Sequence, residues 1–209
     1  MRRTDCVGGL TKCLAVTPLL LLCGCWARME YVQLEYLGAG GPSTLSISTD
    51  KHVPVAVRVS DERGPDKRLI SKTGPYGSEA APIYASNDVP QLIQRAFDTE
   101  LTKRGFVTAP DGAMVSVELV RFRGESRPNW SYGHTVKADM ILSVAVRRPD
   151  GMVVFSHTYT GNGSDDAGPQ GVEVVKVAFE QALTAAITAA VNDKAFVESL
   201  LAASRTESN

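Results

Sequence analysis

Apolar residues recur along this chain with two different periods, and the change from one to the other marks out its elements. From Val53 to Val59 every second residue is a valine, with Pro54, Ala56 and Arg58 between them. That alternation belongs to a strand with one buried face. From Val89 to Leu101 the spacing becomes three and four: Val89, Leu92, Ile93, Ala96, Phe97 and Leu101 share a stripe, and Gln94, Arg95, Asp98, Lys103 and Arg104 lie on the exposed face. Asn87 or Asp88 can cap this helix, Pro90 fits its first turn, and Gly105 stops it.

Alternation then returns. Residues 114–122 read as a strand, and Val136, Ala138, Met140, Leu142, Val144 and Val146 alternate with polar partners across 136–148. Pro149, Asp150 and Gly151 form a turn, after which 152–160 come back antiparallel. Beyond the polar stretch 161–169, which reads as a loop, a long helix over 170–191 carries Val172, Val175, Phe179, Leu183, Ile187 and Ala190 on one stripe. Asp165 and Asp166 sit just before it, where negative charge favours a helix N-terminus. Asn192 and Asp193 break that helix and cap a short last one bearing Phe196, Val197, Leu200 and Leu201.

Two stretches resist periodicity. Residues 64–86, rich in Gly, Pro, Lys and Ser, read as a long loop with room for a short hairpin. In 26–52, Val32, Leu34 and Tyr36 suit either a first strand or an extended tether. The order predicts a single α+β domain: a mostly antiparallel sheet of about four to five strands with two main helices packed on one face.

Composition bounds the function. The chain has 209 residues, 44% apolar, with 22 Lys+Arg against 23 Asp+Glu. That balance offers no electrostatic footprint for nucleic acid. All four cysteines, Cys6, Cys13, Cys23 and Cys25, precede residue 26, so no disulfide staples the body. The histidines His52, His134 and His157 are scattered, which removes the partners a Cys-based metal site would need. Nothing in the sequence calls for a cofactor.

The N-terminus reads as an address. Arg2, Arg3 and Lys12 precede an apolar run over 14–23, too short for the roughly 20 residues of a membrane span and suited to a signal peptide. Leu22, Cys23, Gly24 and Cys25 then resemble the bacterial lipobox. That resemblance implies cleavage after Gly24 and a thioether-linked diacylglycerol on Cys25, whose new amine is acylated. Cys23 departs from the usual Ala, Ser or Thr. Trp26 stands where, in enterobacterial lipoproteins, an Asp retains the protein at the inner membrane, so the expectation is the outer membrane with the domain facing the periplasm. Residues 1–24 are then the signal peptide, 25–52 the anchor with tether or first strand, 53–203 the domain and 204–209 a disordered tail.

The strand end Val57–Lys67, the capped helix Asn87–Phe106, the hairpin and the C-terminal Ala189–Leu201, behind a Cys25 anchor, together resemble the YajG-like family of bacterial lipoproteins. The resemblance implies an envelope lipoprotein without established activity and supplies no catalytic residues.

Candidate chemistry is sparse. Asp61, Glu62 and Asp66 stand among Arg63, Lys67 and Arg68, a mixed-sign run that fixes a turn more readily than it performs acid–base work. The 161–170 stretch lacks the alternating ligands and distal Glu of a calcium loop. Ser156 and His157 are strand neighbours on opposite faces and cannot act as nucleophile and base. The segment 121–133 places Arg121, Arg123, Arg127, Trp130 and Tyr132 in a loop between two strands. Arg forks and flat aromatics suit anionic glycans, lipid phosphates or a protein hot spot, and equally Trp130 can seal one end of the core. The expected partners are the bilayer, through acylated Cys25, and envelope proteins or an anionic glycan or lipid. The expected role is a non-enzymatic structural or adaptor module. Alternatives are an accessory subunit of an envelope transport or assembly complex and, less favoured, a periplasmic hydrolase.

Overall fold

A computed structural model describes residues 29–40, 53–73, 81–129, 133–167 and 172–204. The signal and anchor residues, including Gly24 and Cys25, and the expected tail over 205–209 lie outside the described residues.

The sheet is built around three long antiparallel strands, β6 (Ala113–Asn129), β7 (Gly133–Arg147) and β8 (Val153–Ala167). Gly151, at φ +87°, turns β7 into β8, with Gly151 N–H donating to the Arg148 carbonyl. On the other side of β6 the sheet divides. β2 (Val53–Asp61) runs parallel to the first half of β6, and β5 (Phe106–Thr108) runs parallel to β2. β3 (Leu69–Thr73) meets β6 in parallel at Gly124 and pairs antiparallel with β4 (Ala81–Ala85), beside which β1 (Glu30–Val32) runs parallel.

The expected sheet of four to five mostly antiparallel strands is therefore corrected to eight strands among the described residues, in a partly parallel sheet. The expected loop over 64–86 supplies β3 and β4. The expected polar loop over 161–169 is largely strand, since β8 runs on to Ala167. Asp165 and Asp166 consequently pair with Val136 and Thr135 in the ladder, and Asp166 accepts the Thr135 hydroxyl at 2.6 Å instead of capping a helix.

Among the described residues three helices cover one face. α1 (Val89–Lys103) is capped by Asp88, whose carboxylate accepts the Gln91 N–H at 3.0 Å. α2 (Val172–Val191) is apolar and long enough to cross a membrane, but it packs on β8 and β7 as the central core helix. α3 (Lys194–Ser204) closes the core through Phe196 and Leu200. The β7 alternation works as read: Val136, Ala138, Met140, Leu142, Val144 and Val146 are all buried beneath the helices. In β6 a bulge at Val120 puts both Val120 and Arg121 outward, so burial passes from Leu119 to Phe122.

The junction between α2 and α3 is tied to β8. Tyr159 donates its hydroxyl to Asp193 at 2.7 Å, and the other carboxylate oxygen of Asp193 accepts the Ala195 N–H at 2.8 Å. Burial raises the Tyr159 pKa and Asp193 raises it further. For Asp193, burial pushes upward, but the Tyr159 bond and the α3 amides outweigh it and hold the carboxyl low. Tyr159→Phe is expected to lose about 1.5 kcal/mol in equilibrium urea unfolding. A loss below a few tenths would show that the bond contributes nothing net.

Candidate functional site

Two regions hold the candidate residues and the polar chemistry: the N-terminal arm and the face of the sheet without helices.

Residues 33–40 continue from β1 as an extended arm laid over α1 and α2. Val32 and Leu34 are buried, as their alternation requires, and Tyr36 is half-buried. Among the described residues the arm is held by side chains, not by a neighbouring strand. Leu34 N–H donates to Asn87 Oδ1 at 3.0 Å, while Asn87 Nδ2 returns a bond to the Leu34 carbonyl at 2.9 Å. Glu35 N–H donates to Glu180 Oε1 at 2.8 Å, Leu37 N–H to Thr184 Oγ1 at 3.3 Å, and Ala39 N–H to Glu100 Oε1 at 3.4 Å. Asn87 therefore clamps the arm and leaves capping to Asp88. A signal for this clamp exists in the sequence: Glu180 and Thr184 lie one helical turn apart on α2, beside its apolar stripe.

Two of the clamping groups are buried carboxylates. Glu180 is 5% exposed, and burial raises its pKa, partly offset by the Glu35 N–H and by Lys176 at 3.8 Å. Glu100 is 2% exposed; burial pushes it upward, but bonds from Lys103 at 2.8 Å and Arg104 at 2.9 Å outweigh this and hold it below its ordinary value. Arg104, expected on the exposed face of α1, is buried instead, its Nη2 donating to Asn192 Oδ1 at 2.6 Å. Burial and the Glu100 charge push the nearby Tyr36 hydroxyl up to about 12.

On the helix-free face, the rows crossing β6, β7 and β8 include Glu118–Ser143–Thr158, Arg121–Ile141–Thr160, Arg123–Asp139–Asn162 and Glu125–Lys137–Ser164. The Arg121 and Arg123 expected in a loop are thus strand residues, because β6 and β7 extend almost to their connection. Arg121 Nε reaches Asp139 Oδ2 at 2.5 Å, an exposed pair of small energetic weight. Arg127 pairs with Thr135 in the ladder. The Arg127 side chain, Trp130 and Tyr132 lie outside the described residues, so the structure brings together only Arg121 and Arg123 of the five. At one end of this face an open depression of about 590 Å³, of mixed polar and apolar character, is lined by Glu125, Lys137, Ala138, Asp139, Asn162, Gly163, Ser164 and Gln181.

β8 forms the free edge beside that face. Ser164 N–H points outward and donates to Gln181 Oε1 at 3.1 Å. Strand periodicity sends the peptide groups of Ser156, Thr158, Thr160 and Asn162 the same way. β8 pairs only with β7 among the described residues.

The other candidates stay apart. Asp61 and Arg63 form a bidentate pair, Nε to Oδ1 at 2.9 Å and Nη2 to Oδ2 at 2.8 Å, that fixes the turn after β2. Ser156 faces outward, whereas His157 lies on the helix side, its ring 4.8 Å from that of Tyr159. Among the described residues no group of three or more His, Cys, Asp or Glu side chains is placed to hold a metal.

Residues 43–200 match the model of a family described as uncharacterized lipoprotein. A crystal structure of a DUF330-family protein from Xanthomonas campestris resembles the chain with a TM-score of 0.55 at 14% identity, covering 84% of this chain and 99% of that one. That likeness shows the fold alone. A crystal structure of an uncharacterized protein aligns with a TM-score of 0.36 at 13% identity, over 84% and 96% of the two chains. No curated protein sequence matches.

Proposed function

Since the chain belongs to the family of uncharacterized, YajG-type lipoproteins, we propose that it is anchored through acylated Cys25 to the outer membrane, faces the periplasm, and works as a non-enzymatic binding module. Membership of a lipoprotein family supports a membrane-anchored place in the envelope; the lipobox at Leu22–Cys25 supports the residue. The observation that carries the binding role is the outer edge of β8. From Val153 to Ser164 it contains no Lys, Arg, Asp, Glu or Pro. Free edges are ordinarily blunted with such residues against pairing. An edge left open as far as Asn162, beyond which Gln181 takes the outward Ser164 N–H, is suited to accept an extended segment of an envelope protein by strand addition. Arg121 and Arg123, two strands away on β6 on the same face, add donors for an anionic glycan or lipid headgroup. Nucleic acid is not an expected partner.

A second reading, an accessory subunit of an envelope transport or assembly complex, uses the same edge and differs only in the partner. The hydrolase reading has less support, because the titratable groups with shifted pKa values serve the arm, the turns and the helix junction, apart from Asp98 on α1, whose carboxyl is raised by burial.

The test is crosslinking in native membranes from a photoreactive residue at Asn162, followed by identification of the captured protein. Thr158→Lys and Thr160→Lys place charge on the edge and are expected to abolish the crosslink while changing folding stability by less than about 0.5 kcal/mol. Undiminished crosslinking in both variants would remove β8 as the contact. Intact mass of the membrane-purified protein beside Cys25→Ala tests the anchor: a triacylated chain beginning at Cys25 is expected, and an unmodified one would sink it.

A further inference from the structure

The arm decides how the domain sits on the membrane. Only residues 26–28 separate Cys25 from Met29, the first described residue. Whatever path they take, four residue steps span no more than about 14 Å. Nor can the arm lengthen this reach. Leu34, Glu35, Leu37 and Ala39 are each bonded through their backbone N–H to α1, α2 or the residue preceding the α1 cap, and Leu34 is 2% exposed. Paying out more chain would break those bonds and open the core beside Leu34.

The corner of the sheet where the arm begins carries the residue types that suit a headgroup layer. Met29 and Tyr31 are each 59% exposed. The Tyr31 ring stacks on Tyr84 with centroids 5.7 Å apart. Strand alternation puts both tyrosines on the helix-free face, with Val32, Ile83 and Ala85 buried on the other. β1 is a free edge of the sheet, pairing only with β4 among the described residues. Tyrosine is the side chain of membrane interfaces because its ring is apolar and its hydroxyl wet. The ionisable residues of β1 and the arm are Glu30, Tyr31, Glu35 and Tyr36, with no Lys or Arg among them. The nearest basic residues are Arg28, next to Met29 in the chain, and Lys72, paired with Pro82 of β4, so anionic lipid adds to the seating without being its main source.

We propose that the β1–β4 corner, with Met29, Tyr31 and Tyr84, rests at headgroup level on the bilayer that holds Cys25. The inference rests on the lipidated Cys25 of the preceding section. It also sets the display of the binding edge. In the order β1–β4–β3–β6–β7–β8, the β8 edge stands five strand spacings from β1, about 24 Å along the sheet. The free edge of β8 is carried away from the lipid surface.

Processing would leave Cys25 as the sole cysteine, its thiol consumed by the thioether, so one introduced cysteine can be labelled cleanly. The lipidated protein, reconstituted into phosphatidylethanolamine vesicles with a minority of phosphatidylglycerol, is labelled with a polarity-sensitive fluorophore at Pro82→Cys, at Met29→Cys, or at Thr160→Cys on β8. Quenching by headgroup-level quencher lipids is expected to be about threefold or more stronger at the first two sites than at the third, consistent with interfacial seating. Most of it is expected to persist at about 1 M salt, where electrostatic docking is screened. Equal quenching at all three sites, or none at Pro82→Cys and Met29→Cys, would overturn the proposal. Intact mass of the same preparation separates the two readings: a triacylated chain with no quenching at the corner defeats the docking alone, whereas an unmodified Cys25 defeats both.

Discussion

Gly161→Ala is expected to destabilise the protein by at least about 3 kcal/mol, a large loss for the addition of one methyl group. Gly161 and Gly163 lie on the helix side of β8, where α2 passes so close that its backbone occupies the side-chain positions. A Cβ at Gly161 would overlap the Ala182 carbonyl oxygen and the Ala186 amide nitrogen, and would come within 2.8 Å of the Ala186 Cβ. One at Gly163 would overlap the Ala178 carbonyl oxygen. The obstacles are backbone atoms of a hydrogen-bonded helix, so no rotamer change relieves them; α2 must lift from β8 or β8 must bend. Lifting α2 uncovers Phe179, Leu183 and Ile187, all fully buried. Ala186→Gly should rescue little, since the nearest clashes remain. The control is Gly151→Ala: it stands in open space with φ +87°, so only left-handed strain is added, about 1–2 kcal/mol. Urea unfolding of the three variants checks this, and a Gly161→Ala loss below that of Gly151→Ala would show that α2 does not sit where described.

The second large effect lies at the far end of α1. Glu100 and Arg104 are each about 2% exposed and bonded at 2.9 Å; Arg104 also donates to the Glu100 carbonyl at 3.0 Å, and through Asn192 it reaches the end of α2. Replacing Glu100 by leucine leaves a buried guanidinium without its counter-charge, and a loss of about 3–5 kcal/mol is expected. Arg104→Met added to it should recover most of the loss, because a buried ion pair as a unit contributes little net stability. If the single variant loses under 1 kcal/mol, or the double variant loses the sum of the two singles, the pair is not coupled as described.

The same carboxylate predicts a pH dependence. Its folded pKa lies below the ordinary value of 4.5, so the unfolded chain takes up its proton first as pH falls. The stabilisation is present in full above that range and is lost as pH falls from about 4.5 through the folded pKa. Glu100→Gln should show a shallower loss of stability with acidification than the parent protein, measured by urea unfolding between pH 5 and 3. An unchanged slope would assign the acid sensitivity elsewhere.

Local pattern was sufficient wherever an element is amphipathic by itself. The Asp88 cap with the stripe from Val89 to Leu101 specifies α1; the apolar stripe of α2 and the Gly151 turn between two alternating runs are equally local. The lipobox and the family likeness are also properties of the sequence alone, carried by a short motif and by the order of elements. The candidate arginines were legible as chemistry but misplaced, since the bulge at Val120 shifts the alternation of β6 by one residue and hides the strand beyond it. The C-terminal half of β8 was hidden for a different reason. Its inward positions are Gly161 and Gly163, so the apolar period that marks a strand is missing, the space being filled by the backbone of α2, which only folding brings there. Parallel pairing of β2 with β6 and of β1 with β4 joins segments 50 or more residues apart, and no local period encodes a partner at that distance. Arg104 reads as an exposed residue and Asn87 as a cap candidate, and nothing in the local period singles out Glu100 or Glu180, because charge near a helix face is usually solvated. The burial of Glu100, Arg104 and Glu180, and with it the clamp that fixes the arm beside its expected anchor, is a consequence of packing three distant segments against one another. Tertiary structure decided it, because the partners that make those buried charges tolerable lie up to 145 residues away in the chain.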